Sequence, residues 1–380
     1  MAERMAERLL ARARQWASRR VVILQDATDD DLNIREVSEE IASLLEAWRS
    51  LKLRIEFMSW EAANVKDISS AQAVLPLLTW NYAESPKAAG AFCKLLRAAC
   101  ESGGQPNADL CGTAWVVHKR YLEELRAEGV PIVPTVLLPA GTTTMASLDD
   151  ALIHMREAGG PDGFVAKPAI GGGGDGVERV ADDGDAAATV LRLLRARGGD
   201  MLLQPFLSRV RRAGELAFVF VNGTLLHAIK KEPCGWAASA AQPVSRLDTP
   251  PAEAERCARL ALEVARARCG ARPSSQLYLA RVDLLPDQLP VSVAGCTSHE
   301  DCGVPMAEER WLVSEVELGW PHLFLRADPS GQAIATAAEG LLRHLHGETA
   351  REEEVAEESA ISKTKRRRRV GGAEAVASVV

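Results

Sequence analysis

The stretch "FVAKPAIGGGGDGVERV", Phe164 to Val180, places one lysine before five glycines in six positions and then returns to an alternating apolar pattern. Gly171, Gly173 and Gly176 formally satisfy the GxGxxG spacing of a dinucleotide fold, but that fingerprint needs a helix directly after the last glycine to receive the pyrophosphate. Here "VERV" and "ADDGD" follow, which read as a strand and a turn, so the loop is expected to cap a hairpin. A Walker A loop fails as well, because no Lys-Ser or Lys-Thr follows the glycines. Backbone amides freed of side chains still wrap phosphate oxygens, and a hairpin tip can close over them as a lid. A solvent turn is the bland alternative. Lys167 ends the strand entering the loop, where an ammonium would meet a phosphate chain. Taken singly, Lys167, Lys119 and Lys231 also read as solvated charges.

With 380 residues, 47% of them hydrophobic, the chain is long enough for two or three modest domains with a sizeable core. Charged residues interrupt every apolar run, so no stretch approaches the roughly 20 apolar residues of a membrane helix. A net charge of -7 argues against a nucleic-acid-binding folded body. The eight cysteines are scattered without a CxxC pair, which reads as thiols in a reducing compartment. Cys296 and Cys302, with His299 between them, could ligate a metal, but without a fourth ligand nearby the cluster reads rather as structural.

The opening "MAERMAERLLARARQWASRR" reads as a helical extension over residues 1–20, without the apolar core of a secretory signal. Residues 21–110 alternate strands and helices: Val21 to Leu24, a helix from Glu36, "LKLRIEFMSW", "AVLPLLTW", and a helix over Pro86 to Ala99. That order implies a small parallel α/β domain. A helix near His118 to Glu128, the strand "PIVPTVLL", a helix over Leu148 to Gly159, the glycine hairpin and a helix over Asp185 to Arg197 make a second unit, 111–205. Residues 206–347 read as mainly antiparallel sheet with packed helices. Asn222 and Gly223 between two apolar runs signal a two-residue hairpin there. Residues 348–380 lose apolar periodicity and read as a disordered tail. Its "KTKRRRR" is either an import signal or solvated charge.

The strands "ARVDLL" and "LVSEVEL" carry a second cluster. Residues two apart on a strand share a face, so Arg281 converges with Asp283, and Glu315 with Glu317. Carboxylates among Leu, Val and Ala are costly unless paired with cations. Hard oxygen ligands at this density suit magnesium bridging nucleotide phosphates. The alternative is two acids on an exposed sheet face.

Taken in order, "WVVHKRYLEELRAEGVPIVPT", "FVAKP" with its glycine loop, "LLQPFL", "GELAFVFVNGTLLHAIKK", "YLARVDLL" and "VSEVELGWPHLFL" resemble the ATP-grasp superfamily. The likeness runs from about Val21 to His346. It is nearest the glutathione-synthetase-like branch, which includes ribosomal-protein-modifying ligases and the ligases that close D-cycloserine. "LLTWNYAESP" also resembles a Thr-Trp-Asp-Tyr segment of that branch. The resemblance implies α/β and α+β classes together: an ATP-grasp fold with an N-terminal pre-ATP-grasp α/β domain, ATP clamped between lid and C-terminal subdomains. By the same resemblance, Lys119 and Lys167 contact the phosphates of ATP, and Gly171, Gly172, Gly173, Gly174 and Gly176 form the lid loop. Gln204, Pro205, Phe206 and Leu207 line adenine, and Glu215 lies near the ribose. Asp283, Glu315 and Glu317 hold magnesium, with manganese as a substitute, and Arg281 and Lys231 face the reacting groups.

The implied activity joins a small-molecule carboxylate, activated as an acylphosphate, to an amine or other nucleophile. No Ser-His-Asp or Cys-His arrangement competes with it. The chain departs from the family pattern at Glu317, often Asn; at Asn81, often Asp in the cyclising branch; at Trp320, often Glu; and in a long Pro286 to Arg310 loop. Two other readings stand beside the ligase: a catalytically silent ATP-binding regulatory protein, and phosphoryl transfer to a small alcohol, for which no dense basic pocket is evident. The expected location is cytoplasmic, with a nuclear or organellar one and a homodimer left open. The Gly235 to Ser245 loop is expected to shape the substrate pocket.

Overall fold

Val21 and Ile23 point to one side of the first strand and Val22 and Leu24 to the other, and both sides are buried. That is the signature of a parallel sheet covered on both faces. The computed structural model describes residues 20–26, 35–102, 108–159, 162–233, 243–270, 277–287, 310–319 and 322–346. The N-terminal extension, the Cys296–His299–Cys302 cluster with most of its loop, residues 235–242 of the expected substrate loop, Trp320 and the basic tail lie outside them.

Strands β1 (Arg20–Gln25), β2 (Arg54–Ser59) and β3 (Ala73–Leu78) form a parallel sheet in the order β2-β1-β3. Helix α1 (Arg35–Ser50) lays Ile41, Leu44 and Trp48 on one face. After the short α2 (Val65–Ser69), helix α3 (Pro86–Ser102) lays Phe92 and Leu96 on the other.

Helix α4 (Ala108–Val116) has no counterpart in the sequence reading. It is buried nearly all round, so it lacks the one-sided stripe by which amphipathic helices are recognised. A disulfide between Cys100 and Cys111 joins α3 to α4, their Cα atoms 6.1 Å apart, so these two depart from the expectation that most of the cysteines are thiols in a reducing compartment. Helix packing, which spacing alone does not reveal, brings the two cysteines together. Cys93, Cys257 and Cys269 are free.

The expected helix from His118 is shorter, α5 (Tyr121–Ala127), because the Lys119 amide donates instead to Ala169 O at 2.7 Å. The strand expected across "PIVPTVLL" shrinks to β4 (Val136–Leu138). Pro131 and Pro134 remove two donors, and Ile132 makes only an isolated bridge to Val313. Strands β5 (Phe164–Pro168), β6 (Glu178–Val180) and β7 (Met201–Pro205) complete an antiparallel sheet in the order β4-β7-β5-β6. Helices α6 (Met145–Glu157) and α7 (Ala186–Arg197) share its core. The glycine loop does cap the β5–β6 hairpin, as read from the sequence.

Beyond the short helix α8 (Val210–Ala213), β8 (Glu215–Val221) and β9 (Thr224–Lys231) form the expected Asn222-Gly223 hairpin, both turn residues at positive φ. With β10 (Val244–Leu247), β11 (Leu279–Pro286) and β12 (Trp311–Leu318) they make a five-stranded sheet, β10-β9-β8-β11-β12. Helix α9 (Ala252–Arg268) covers one face through Ala258, Ala261 and Leu262. The other face packs α10 (Gln332–His346) together with Ile23 of the first sheet and Leu44 and Trp48 of α1, so both sheets share one core.

Candidate active site

On that shared face, Leu279 of β11 and Ala217 and Val219 of β8 belong to the apolar core. The next residues of the same parity on β11, Arg281 and Asp283, are ionic but equally buried, at 6% and 4% exposure. Register places Glu317 opposite Arg281 and Glu315 opposite Asp283 on β12, while Glu215 pairs with Lys231 across β8 and β9. Period-2 geometry thus brings six of the sequence-predicted residues onto one patch.

Salt bridges neutralise the patch. Arg281 donates from Nε to Asp283 Oδ1 at 2.8 Å and from Nη2 to Asp283 Oδ2 at 3.0 Å. Its Nη2 also bonds Glu317, and its Nη1 donates to His322 O at 3.0 Å. Lys231 Nζ lies 2.8 Å from Asp283 Oδ2 and 3.3 Å from Glu215 Oε2. Lys119 Nζ lies 3.0 Å from Glu315 Oε1 and donates to Gly171 O at the root of the glycine loop. Lys167 Nζ is 3.5 Å from Ser314 O. Strand β12 is fixed in turn by Val316 N donating to Tyr121 Oη at 2.9 Å.

Burial disfavours every charge here, and the partners decide which survive. Burial alone would raise Asp283, but Arg281 and Lys231 hold its carboxyl down at about 2. Glu315 is also lowered, burial being outweighed by Lys119 and Lys167. Glu317 rises to about 7, because burial, aided by Glu315 and Asp283, overcomes Arg281. Burial brings Lys167 down to about 8. Lys231 is raised, since Asp283 and Glu215 outweigh burial. His322 falls to about 4 through burial and the nearby Arg281 and Lys231, so its ring is neutral at physiological pH.

Asp283, Glu315 and Glu317 each offer an oxygen, and these lie within 4.8 Å of one another. Asp283 is fully enclosed, whereas the side chains of Glu315 and Glu317 keep 28% and 21% of their surface. That is a hard-oxygen donor set with a buried base and an open rim, which fits a divalent cation of the magnesium type.

The glycine loop lies beside Lys119. Gly173, Gly174 and Gly176 have φ of 62°, 78° and 68°. At Gly176 a Cβ would also fall 2.0 Å from the Arg197 guanidinium, so it would push the exposed end of that side chain away from Asp175, with which it pairs at 2.9 Å. At the other wall, Gln204 Nε2 donates to Thr135 Oγ1 at 2.8 Å inside the protein. Pro205 ends β7, and Phe206 N donates to Gly163 O. Arg179 and Arg211 stack on the Phe206 ring at 4.4 and 4.9 Å, and Leu207 is buried.

The sequence reading passed over Glu40, His322 and Phe324. Glu40 had a usable signal, because it lies four residues before Leu44 on the apolar stripe of α1, where a carboxylate is out of place.

No family model matches the chain. It is 32% identical over 197 residues to the cycloserine biosynthesis protein DcsG of Streptomyces lavendulae; the match covers 51% of this chain and 63% of that relative, under two thirds of its length. The crystal structure of D-cycloserine synthetase DcsG is similar with a TM-score of 0.66 at 26% identity, covering 86% of this chain and 99% of that one. The D-alanine–D-alanine ligase of Bacillus anthracis complexed with ATP is similar in fold, with a TM-score of 0.55 at 15% identity over 89% and 100% of the two chains.

Proposed function

We propose that this chain, which has the ATP-grasp fold, is an ATP- and magnesium-dependent ligase that activates a small carboxylate and joins it to an amine. The observation that carries the reading is the convergence of Asp283, Glu315 and Glu317 within 4.8 Å, ringed by Lys119, Lys167, Lys231 and Arg281. Those three carboxylates would hold magnesium, or manganese by the same donor chemistry, and the bound ion neutralises charge on the phosphoryl oxygens.

In this reading ATP phosphates take the Lys119 and Lys167 ammonium groups from Glu315. The amides of Gly171 to Gly174 and Gly176 close over the phosphates. Gln204, Pro205, Phe206 and Leu207 flank adenine, and Glu215, at the head of β8, meets the ribose. The acceptor carboxylate oxygen attacks the γ-phosphorus and the bond to the β-phosphate oxygen breaks, leaving ADP and an acylphosphate. The amine nitrogen then attacks the acyl carbon, the carbon–oxygen bond to phosphate breaks, and the amine proton passes to solvent. Arg281 donates to the oxyanion of that step, and Lys231 keeps Asp283 and the guanidinium in line.

Residues 21–110 serve as the pre-ATP-grasp domain, 111–205 as the lid subdomain and 206–347 as the C-terminal subdomain. Likeness to DcsG supports amino-acid-derived carboxylates as the first substrates to try. The ATP and magnesium this chemistry needs are abundant in the cytoplasm, whereas a disulfide such as Cys100–Cys111 is uncommon there. No helix among the described residues is long and apolar enough to cross a membrane.

The test is magnesium-dependent ADP release by the purified protein across a panel of amino acids and small carboxylates. Release triggered by one acid supports the ligase. ATP binding without release for any acid sinks it in favour of a silent nucleotide-binding protein.

A further inference from the structure

We propose that Glu40, on helix α1 of the first sheet domain, is a positioning residue for Arg281, acting through the turn His322–Leu325. The inference rests on the ligase reading and deepens it, since it adds to the site a residue from the helix that covers a different sheet.

Glu40 is 3% exposed, and its two carboxylate oxygens do separate jobs. Oε1 accepts from Leu323 N at 2.7 Å and Oε2 from Leu325 N at 2.8 Å. The residue between those amides, Phe324, has φ 52° and ψ 36°, a left-handed conformation that a ring-bearing side chain adopts only under constraint. From the opposite side, Leu323 O lies 2.7 Å from His227 Nε2. The turn is therefore clamped on both flanks of its strained residue, by groups from α1 and β9.

The clamped turn delivers two contacts to the reacting cations. His322 O accepts from Arg281 Nη1, the guanidinium nitrogen that Asp283 and Glu317 leave free. The Phe324 ring lies 5.5 Å from Arg281 Cζ and 5.9 Å from Lys231 Nζ, within cation–π range. The His322 ring packs tilted against Phe324 with centroids 4.2 Å apart, and its Nε2 lies 3.6 Å from Glu40. Without Glu40, Phe324 would relax toward ordinary backbone geometry and carry both contacts away. A carboxylate on the apolar stripe of a helix, where Leu or Ile would pack at no electrostatic cost, is accounted for by these two amide bonds. Burial raises its pKa to about 7, with the same two amides opposing.

The experiment uses the full chain and the variants Glu40→Gln and Glu40→Asp. Amide hydrogen exchange over residues 322–327 is measured by mass spectrometry with and without magnesium-ATP, beside kcat and KM for ADP release. In Glu40→Gln the Leu323 and Leu325 amides should exchange at least tenfold faster. Its kcat should fall tenfold or more, with KM for ATP within twofold of the parent. Glu40→Asp, which keeps the charge, should recover part of both. Unchanged exchange in a folded variant overturns the clamp, and so does a kcat loss matched by an equal rise in KM for ATP. If the parent releases no ADP with any acid, the ligase reading fails while the exchange arm still decides the clamp. If the parent turns over and Glu40→Gln behaves identically, the clamp fails and the ligase reading stands. Should Glu40→Gln not fold, Glu40→Asp decides by the same two readouts.

Discussion

Lys119 and Glu315 are bound ammonium to carboxylate at 3.0 Å, and the same Nζ also donates to Gly171 O. One lysine thus ties a candidate metal ligand to the root of the glycine loop. In the proposed reading, a nucleotide taking this ammonium would free Glu315 for the cation and the loop for closure, coupling the two events through one side chain.

Lys119→Met should weaken ATP binding by roughly ten- to a hundredfold, the range expected for losing one charge-assisted bond of about 1.5–3 kcal/mol. Calorimetric titration with magnesium-ATP measures it. An unchanged Kd would remove Lys119 from the phosphate site.

Asp283→Asn leaves Arg281 and Lys231 without their shared counter-charge, a loss of about 3–5 kcal/mol by analogy with other broken buried pairs. Denaturant unfolding reads the stability, and magnesium-dependent ADP release should fall at least a hundredfold. In the parent protein, EDTA should abolish release, and manganese should restore it as magnesium does.

Gly176→Ala imposes a left-handed conformation worth about 1–2 kcal/mol of strain and displaces the exposed Arg197 guanidinium from Asp175. The lid should lose its shape, raising KM for ATP severalfold. Arg197→Ala in the same background should recover little of the loss, because the exposed arginine can already swing aside and the left-handed strain remains.

His344 and Asp109 give a pH test away from the cation site. His344 Nε2 lies 2.8 Å from Asp109, which also accepts from Tyr278 N at 2.7 Å. Burial pulls the imidazole down, but Asp109 outweighs it, and the folded pKa stands above the ordinary 6.5. A raised basic pKa means the folded state holds its proton more tightly. The stabilisation is therefore complete below the unfolded value and fades as pH rises through the folded one. His344→Gln should cost more melting temperature near pH 5.5 than near pH 9, and equal losses at both would contradict the pairing.

The Cys100–Cys111 disulfide closes an 11-residue separation, which in the chain-entropy account stabilises by about 3 kcal/mol. Dithiothreitol should lower the melting temperature of the parent and leave Cys100→Ala unmoved.

By itself the sequence determined what depends on neighbours along the chain. Period-2 alternation placed Arg281 with Asp283 and Glu315 with Glu317, and the residues after Gly176 made its loop a hairpin cap rather than a helix start. Asn222-Gly223 specified a turn because its backbone demands are local. Tertiary structure decided what depends on packing between distant segments. The all-round burial of α4 hid it from any amphipathic period, and the disulfide existed only once α3 lay beside α4. Glu40 stood out of place on the apolar stripe of α1, and only the fold supplied the reason by bringing the Phe324 turn to it across more than 280 residues. Which cation meets which carboxylate was fixed the same way, since Lys119, Lys231 and Arg281 come from separate elements and their pairing follows from sheet register and helix placement, which no local pattern encodes.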